Sequence, residues 1–170
     1  MSADTPLTGA VAVVTGAFGK LGPIWTSTLR AAGATVVGID VSGGQADGVT
    51  VEQADVTDRE ALREILARVR RELGAPHVLV NNAGIDQSPE AAGQTFAVEE
   101  WPVEDFRRTV DVNLLGTFAA IQVFGSAMRS EGRGAIVNIC SVYASVAPEP
   151  SFYEHLDVDP PFLKPAAYGA

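Results

Sequence analysis

Short apolar runs alternate along the chain with longer segments in which apolar residues recur every three or four positions. The short runs cover residues 10–15, 34–39, 49–54, 77–81 and 134–139. Their continuous β-branched character is typical of strands buried on both faces of a parallel sheet. The longer segments cover 22–32, about 59–73 and 103–129, and they have helical spacing. This alternation predicts a doubly wound α/β fold with right-handed crossovers.

Residues that start or stop helices lie at the ends of these segments. Pro23 suits a first helical turn, and Gly33 ends that helix. Asp58 is predicted to cap the second helix and Gly74 to end it. Residues 142–165 contain five prolines and are interpreted as a long loop or lid. We therefore predict a single Rossmann-like domain of three layers over residues 1–170.

Composition narrows the classes of function. The 170 residues carry a net charge of −9, with 12 Lys and Arg against 21 Asp and Glu, which argues against a nucleic-acid binder. The single cysteine, Cys140, excludes an internal disulfide and suits a reducing compartment. We see no signal peptide and no uninterrupted apolar stretch of about 18 residues. The expectation is a cytoplasmic protein that does not enter a membrane.

Metal and hydrolase chemistry find no support in the sequence. The two histidines, His77 and His155, stand apart from any group of acids or cysteines with metal-ligand spacing. Neither is placed to pair with Ser141 as a hydrolase nucleophile. No metal site is predicted.

Three glycines follow the first predicted strand and lead into the first predicted helix. Gly16 would allow a sharp turn, Gly19 the close approach of a pyrophosphate, and Gly22 tight packing of the helix on the sheet. A helix N-terminus offers unpaired N–H groups and partial positive charge to phosphates. The alternative is three turn glycines without a ligand, and the strand–loop–helix context favours the dinucleotide site.

An acid closes the second predicted strand. Asp40 lies 18 residues after Gly22, where a carboxylate accepts hydrogen bonds from ribose hydroxyls and repels a 2′-phosphate. This favours NAD over NADP, although Lys20 in the glycine loop could weaken the preference. The alternative is a solvent-facing acid at a strand end.

The ordered set of motifs resembles the short-chain dehydrogenases/reductases over almost the whole chain. The set consists of Thr15-Gly-x-x-Gly-x-x-Gly22, Ala54-Asp-Val-Thr57, Asn81-Asn-Ala-Gly84, Asp111-Val-Asn113, Ser141 and Tyr168. The glycine spacing departs from the usual form of that family, in which Gly stands where this chain has Lys20. It matches the spacing of extended and some divergent members.

The resemblance implies which residues bind the cofactor. Asp55 would accept a hydrogen bond from the adenine amino group, with the Val56 amide nearby. The backbone of Asn82, Ala83 and Gly84 would lie beside the adenine ribose. Asn81 and Asn82 would also tie neighbouring strands together. Further cofactor-binding candidates are the glycine-loop residues Phe18, Lys20 and Leu21.

The resemblance also implies a reaction centre. In this family a tyrosine exchanges a proton with the substrate oxygen while hydride moves to or from nicotinamide. Tyr168 matches that tyrosine, Ser141 the serine that hydrogen-bonds the same oxygen, and Asn113 the asparagine that positions a water. Tyr153 is the rival, but Asp157 four residues later would raise the pKa of its phenol. The implied substrate is a small alcohol or carbonyl compound, and the implied assembly of the full-length form is a homo-oligomer.

The lysine that the family carries four residues after the tyrosine would be position 172, beyond the last residue of this sequence. A phenol titrates near 10, which is roughly 4 kcal/mol of unfavourable ionisation at neutral pH. An ammonium about 4 Å away contributes roughly that amount at an effective dielectric constant of 20. We therefore expect the 170 residues alone to show no steady turnover. We also expect residues 134–139 to form an apolar edge of a sheet that is incomplete on its C-terminal side.

Two rival functions remain open at this stage. One is a dinucleotide-binding module without turnover. The other is a sugar-nucleotide epimerase or dehydratase of the extended branch, which the glycine spacing favours and Asn81-Asn-Ala-Gly84 disfavours. The sequence leaves the substrate and the reaction direction open.

Overall fold

Five parallel strands form one sheet in the computed structural model, which describes residues 5–86, 97–157, 159 and 164–169. The strands are β1 Val11–Thr15, β2 Thr35–Asp40, β3 Val49–Gln53, β4 Val78–Asn81 and β5 Ala135–Asn138. Their spatial order is β3-β2-β1-β4-β5. Every neighbouring pair is parallel, with Val13 opposite both Val37 and Leu79. The predicted doubly wound sheet is confirmed.

Helices connect the consecutive strands except β2 and β3, which a loop over residues 41–48 joins. The helices are α1 Gly22–Ala31, α2 Arg59–Glu72, α3 Val103–Val110, α4 Thr117–Ser130 and the short α5 Ala166–Gly169. A π-helical segment, Asp111–Gly116, separates α3 from α4 within the predicted long helix. Three 3-10 turns cover Val98–Glu100, Val142–Ala144 and Pro150–Tyr153. The predicted lid therefore contains two short turns, and its residues 158 and 160–163 lie outside the described residues.

The chain divides into two compact units. The sheet unit consists of the described residues in 5–83 and 115–139, and it holds all five strands with α1, α2 and α4. The tyrosine unit consists of the described residues in 84–114 and 140–169, and it holds α3 and α5.

Alternate residues of the central strand fill two cores in the sheet unit, one on each face. Val11 and Val13 pack with α2 and α4, where Leu62, Ile65 and Phe124 are fully buried. Ala12 and Val14 face the other way, with Trp25 and Leu29 of α1 packed against their cluster. Because successive strand residues point to opposite faces, one continuous apolar strand serves both cores. The three predicted layers are present.

One described helix is long and apolar enough to cross a membrane by length and composition. It runs from Val103 to Ser130, with a mean hydropathy of 1.3 over its most apolar 18 residues. Val123, Phe124 and Met128 of α4 lie buried in the core of the sheet unit, whereas Phe118 of the same helix is exposed. Core helices of water-soluble domains meet the same length and composition criterion.

The last strand lies at the edge of the sheet. All four residues of β5 are exposed, and Ile136 and Val137 keep 40% and 43% of their surface accessible. Among the described strands β5 pairs only with β4. The expected apolar edge is confirmed.

Asp58 caps α2 as predicted, and removing its carboxylate should weaken the fold. Its Oδ1 accepts hydrogen bonds from the N–H groups of Glu60 (3.1 Å) and Ala61 (3.0 Å). We predict that Asp58→Ala lowers the free energy of unfolding by about 1 kcal/mol, since two amides at the helix start lose their acceptor. Urea denaturation measures the change. The exposed Glu64→Ala on the same helix should change it by less than about 0.5 kcal/mol, and equal losses would contradict the cap.

Candidate functional site

The glycine loop, residues 16–22, turns directly against the backbone that follows β4. Gly16 has φ +65°, a left-handed conformation that favours glycine. A Cβ at Gly16 would lie 2.7 Å from Ala83 Cα and 2.9 Å from Ala83 N. No side chain fits in that space. The structure therefore shows the turn expected of Gly16 and a reason for glycine that the sequence did not give.

Gly22 brings the start of α1 against the same loop. A Cβ there would lie 2.3 Å from the carbonyl oxygen of Gly16 and 2.4 Å from the carbonyl carbon of Ala17. Gly22 is therefore tightly packed, as predicted. Its neighbour is the backbone of the loop after β1, whereas the prediction was that it packs on the sheet. Gly19 differs, because it is exposed and its Cβ would meet only the Gly16 carbonyl oxygen, at 3.3 Å.

The N-terminus of α1 is open to an anion. Its N-cap, Leu21, makes no side-chain capping bond, and the first turn contains no acidic residue. Lys20 and Leu21 are exposed beside it. Pro23 has no N–H, and the Ile24 N–H donates to the Leu21 carbonyl at 3.1 Å, so the first turn favours a negatively charged group through its dipole and the N–H of Gly22.

Asp40 holds the glycine loop. Its Oδ2 accepts a hydrogen bond from the Phe18 N–H (2.9 Å), and its Oδ1 accepts from the Ser42 N–H (3.0 Å) and hydroxyl (2.8 Å). Partial burial raises the pKa of Asp40, but the hydrogen bonds from Ser42 and Phe18 outweigh it and leave the pKa below its usual value. The predicted ribose-binding acid is therefore also a structural anchor of the loop.

The adenine candidates lie after β3. Asp55 is exposed, and its Oδ1 accepts from both the N–H and the hydroxyl of Thr57, at 2.8 Å each. No hydrogen bond to its Oδ2 is present within the described residues. Val56 is buried, so its side chain serves packing. One carboxylate oxygen of Asp55 is thus held in place while the other can accept a donor.

Two consecutive asparagines tie the carboxyl ends of three strands together. Asn82 donates from Nδ2 to the carbonyls of Thr15 (3.2 Å) and Gly16 (2.9 Å). The N–H groups of Asn82 and Ala83 both donate to Thr15 Oγ1, at 3.1 Å. Asn81 is buried and donates to Asn138 Oδ1 at 2.8 Å. The predicted strand-tying role of both asparagines is present.

Within the tyrosine unit, Asn113 holds the backbone of Ile85. Its Oδ1 accepts the Ile85 N–H (2.8 Å), and its Nδ2 donates to the Ile85 carbonyl (3.1 Å). A Cβ on neighbouring Gly84 would lie 3.4 Å from Asn113 Oδ1, an ordinary contact. Asn113 belongs to the π-helical segment, a feature that is frequent at functional sites. The chain after β4 is therefore fixed by a side chain of the long helix.

Tyr143 connects two of the predicted catalytic residues. Its N–H donates to Ser141 Oγ at 3.3 Å, and its ring meets that of Tyr168 edge to face, with centroids 6.5 Å apart. Its hydroxyl lies 2.5 Å from that of Tyr153. All three tyrosines of the chain thus lie in one cluster with Ser141. Tyr143 was not identified as a site residue from the sequence.

Lys164 is a second residue that sequence reasoning missed. Its Nζ lies 4.4 Å from the ring centroid of Tyr168 and 6.0 Å from that of Tyr143. It forms an ion pair with Asp86, and only 12% of its side chain is exposed. Lys164 stands four residues before Tyr168, whereas the family pattern directs attention to the fourth residue after it. An ammonium group therefore lies beside the ring of Tyr168, and it comes from a residue that precedes the tyrosine in the sequence.

Tyr153 is poorly suited to give up a proton. Burial, the hydrogen bond with Tyr143 and the negative charge of Asp86 raise its pKa to about 12. The direction agrees with the sequence prediction, but Asp157, the predicted cause, is not among the causes. A phenol that ionises this far above neutrality is a weak acid catalyst, which favours Tyr168 over Tyr153 for that role.

Comparisons with known proteins agree with this geometry. A sequence profile of short chain dehydrogenases matches residues 10–153. A D-threitol dehydrogenase of Mycolicibacterium smegmatis is 32% identical over 155 residues, which cover 85% of this chain and 57% of that enzyme. A galactitol 2-dehydrogenase of Rhizobium johnstonii is 37% identical over 155 residues, which cover 85% and 58%.

A solved structure shares the fold. The ligand-free aldohexose dehydrogenase of Thermoplasma acidophilum superposes with a TM-score of 0.77 and 27% identity, covering 96% of this chain and 56% of that one. The chain thus spans somewhat more than half the length of the relatives it matches.

The titration of Tyr153 is directly measurable. We predict that absorbance at 295 nm during a pH titration shows one phenol ionising near 12, and that Tyr153→Phe removes this step. Because the folded pKa is raised, the associated stability is complete below about pH 10 and is lost as the pH rises through about 12. Tyr168→Phe serves as the control that keeps the step. A high step that survives Tyr153→Phe would contradict the assignment.

Proposed function

Because the chain belongs to the short-chain dehydrogenase family, we propose that it serves an NAD-dependent oxidoreductase that interconverts a small alcohol and its ketone. The observation that carries the proposal is the glycine loop, in which Gly16 turns against Ala83 and an uncapped helix N-terminus follows. Nicotinamide dinucleotides are the hydride carriers of this family, and a dinucleotide bound here would supply the hydride-transfer chemistry.

The residues present fit a dinucleotide diphosphate. Gly19 is exposed and carries no side chain, and the start of α1 presents its dipole and the Gly22 N–H without a side-chain cap or an acid in the first turn. Exposed Lys20 adds a positive charge beside this helix start. We propose that Gly16, Phe18, Gly19, Lys20, Leu21 and Gly22 hold the diphosphate, and that Asp55, Val56, Asn82, Ala83 and Gly84 hold the adenosine end.

Asp40 supports NAD as the cofactor. Its carboxylate accepts hydrogen bonds from Phe18 and Ser42, and the Val41 N–H also contributes to its lowered pKa. A ribose hydroxyl would therefore share one of its oxygens with these donors. A 2′-phosphate would meet a carboxylate whose pKa is lowered and which is therefore charged at neutral pH.

Tyr168, Ser141 and Asn113 supply the chemistry at the substrate. We propose that the Tyr168 hydroxyl exchanges a proton with the substrate oxygen. Ser141 Oγ accepts the Tyr143 N–H, so its own hydroxyl hydrogen is available to donate to that oxygen. Asn113 uses its amide to hold Ile85 and so fixes the backbone after Gly84.

A homo-oligomer in the cytoplasm completes the proposal. Leu115 and Phe118 keep 52% and 55% of their surface exposed, although the following turns of the same helix lie in the core. Apolar side chains of this size favour burial against another protein surface, for which a second copy is proposed. The single cysteine, Cys140, is an exposed thiol, which suits a reducing compartment.

Binding of NAD to the chain tests the proposal. Substitutions at two glycines distinguish an effect on NAD affinity from an effect on stability. We predict that Gly19→Ala keeps the fold but weakens NAD at least tenfold, because its methyl group meets little protein yet projects toward the diphosphate. Gly16→Ala should instead lose stability, because its methyl group collides with Ala83. Isothermal titration with NAD and urea denaturation measure the two effects. Unchanged NAD affinity in Gly19→Ala would contradict the phosphate role.

Asp40 should determine the choice between the two dinucleotides. We predict that the unmodified chain binds NAD more tightly than NADP and that Asp40→Ser narrows the difference at least tenfold, because the repulsion of the 2′-phosphate is removed. Asp47→Ser, at an exposed acid in the loop after β2, is the matched control and should leave the ratio unchanged. Tighter NADP binding by the unmodified chain would refute the assignment of Asp40.

A further inference from the structure

A cavity of about 350 Å³ opens within the tyrosine unit. Trp101, Pro148, Pro150 and Tyr153 contribute to its wall. This volume is at the lower end of the range for small-molecule sites, so the cavity suits a compact ligand. Aromatic and proline rings offer flat apolar surface to the C–H faces of such a ligand.

Two opposite charges also line the cavity. Lys164 reaches it while paired with Asp86, so its positive charge is largely balanced before any ligand arrives. Glu99 lies in the same wall and takes part in no ion pair among residues 5–86, 97–157, 159 and 164–169. The three groups together leave a net negative charge beside the cavity.

This balance argues against an anionic ligand. A carboxylate in the cavity would face Glu99 as a like charge, and the ammonium of Lys164 already has an anionic partner. Hydroxyl groups meet no such penalty, because they donate to Glu99 and accept from Lys164 or from the Tyr153 hydroxyl.

We propose that this cavity receives an uncharged polyhydroxylated alcohol and that Glu99 excludes the carboxylate analogue of the same carbon skeleton. The proposal rests on the proposed function, since the occupant would be the alcohol that is oxidised.

Trp101 provides a readout that needs neither cofactor nor turnover. The chain has two tryptophans, Trp25 and Trp101. The Trp25 Nε1 is buried without a hydrogen-bond partner among the described residues, so Trp25→Phe leaves no acceptor unpaired. In that background Trp101 is the single tryptophan, and its fluorescence reports what enters the cavity.

Two ligands with one carbon skeleton test the charge argument. They are galactitol and galactonate, which end in a hydroxymethyl and a carboxylate group. We expect galactitol to change Trp101 fluorescence saturably, and galactonate to bind at least tenfold more weakly. Glu99→Gln should narrow the difference between galactitol and galactonate to within about threefold, because it removes the charge and keeps a polar side chain.

Glu100→Gln is the matched control, since it removes the same charge at the next residue, which does not line the cavity. It should leave the ligand order unchanged. Galactonate binding as tightly as galactitol, an equal effect of Glu100→Gln, or no response to either ligand would overturn the proposal. NAD titration of the same protein separates the outcomes, because NAD binding without galactitol binding refutes the cavity assignment alone.

Discussion

The close approach of Gly16 to Ala83 is the constraint on which the carboxyl-end edge of the sheet unit depends. At this point the backbones that leave β1 and β4 touch with no room for a Cβ. Thr15 Oγ1 accepts the backbone N–H groups of Asn82 and Ala83. The side-chain amide of Asn82 donates to the carbonyls of Thr15 and Gly16. The left-handed turn at Gly16 then leads the chain toward Gly22, which leans on the Gly16 carbonyl. The glycines and the asparagine motif are therefore parts of one arrangement, because the backbone after β1 and the backbone after β4 hold each other in place.

Asp40 extends this arrangement to β2. Its carboxylate accepts the Phe18 N–H, so the acid that would select the ribose also fixes the loop that would hold the diphosphate. A substitution at Asp40 consequently acts on two levels, the charge seen by a ribose substituent and the order of the glycine loop. Ser42 acts on only one of the two carboxylate oxygens. It donates to Oδ1, whereas the bond that fixes the glycine loop joins Oδ2 to the Phe18 N–H.

The features that local patterns encode were predictable, and those that depend on distant contacts were not. The five strands, α1 and the Asp58 cap follow from hydrophobic periodicity and from one side chain next to its own amides. The π-helical segment shares its apolar spacing with the helix around it, so periodicity alone does not reveal it. The pairing of Lys164 with Asp86 joins residues 78 positions apart. Asp157 failed as the cause of the raised Tyr153 pKa because the backbone at Pro150–Tyr153 is a 3-10 turn, in which the i,i+4 relation of an α-helix does not hold.

The tyrosine unit combines an ion pair with a phenol whose pKa is raised. Asp86 balances Lys164, and the raised pKa of Tyr153 keeps its hydroxyl neutral throughout the physiological range. Lys164 lies over the ring face of Tyr168, a cation–π arrangement that restricts the tilt of that ring. Because Tyr143 contacts Ser141 through its backbone and Tyr168 through its ring, it also limits how far these two residues can move apart. The contacts of Tyr143 and Lys164 therefore restrict the two hydroxyl-bearing residues Ser141 and Tyr168 before any ligand arrives.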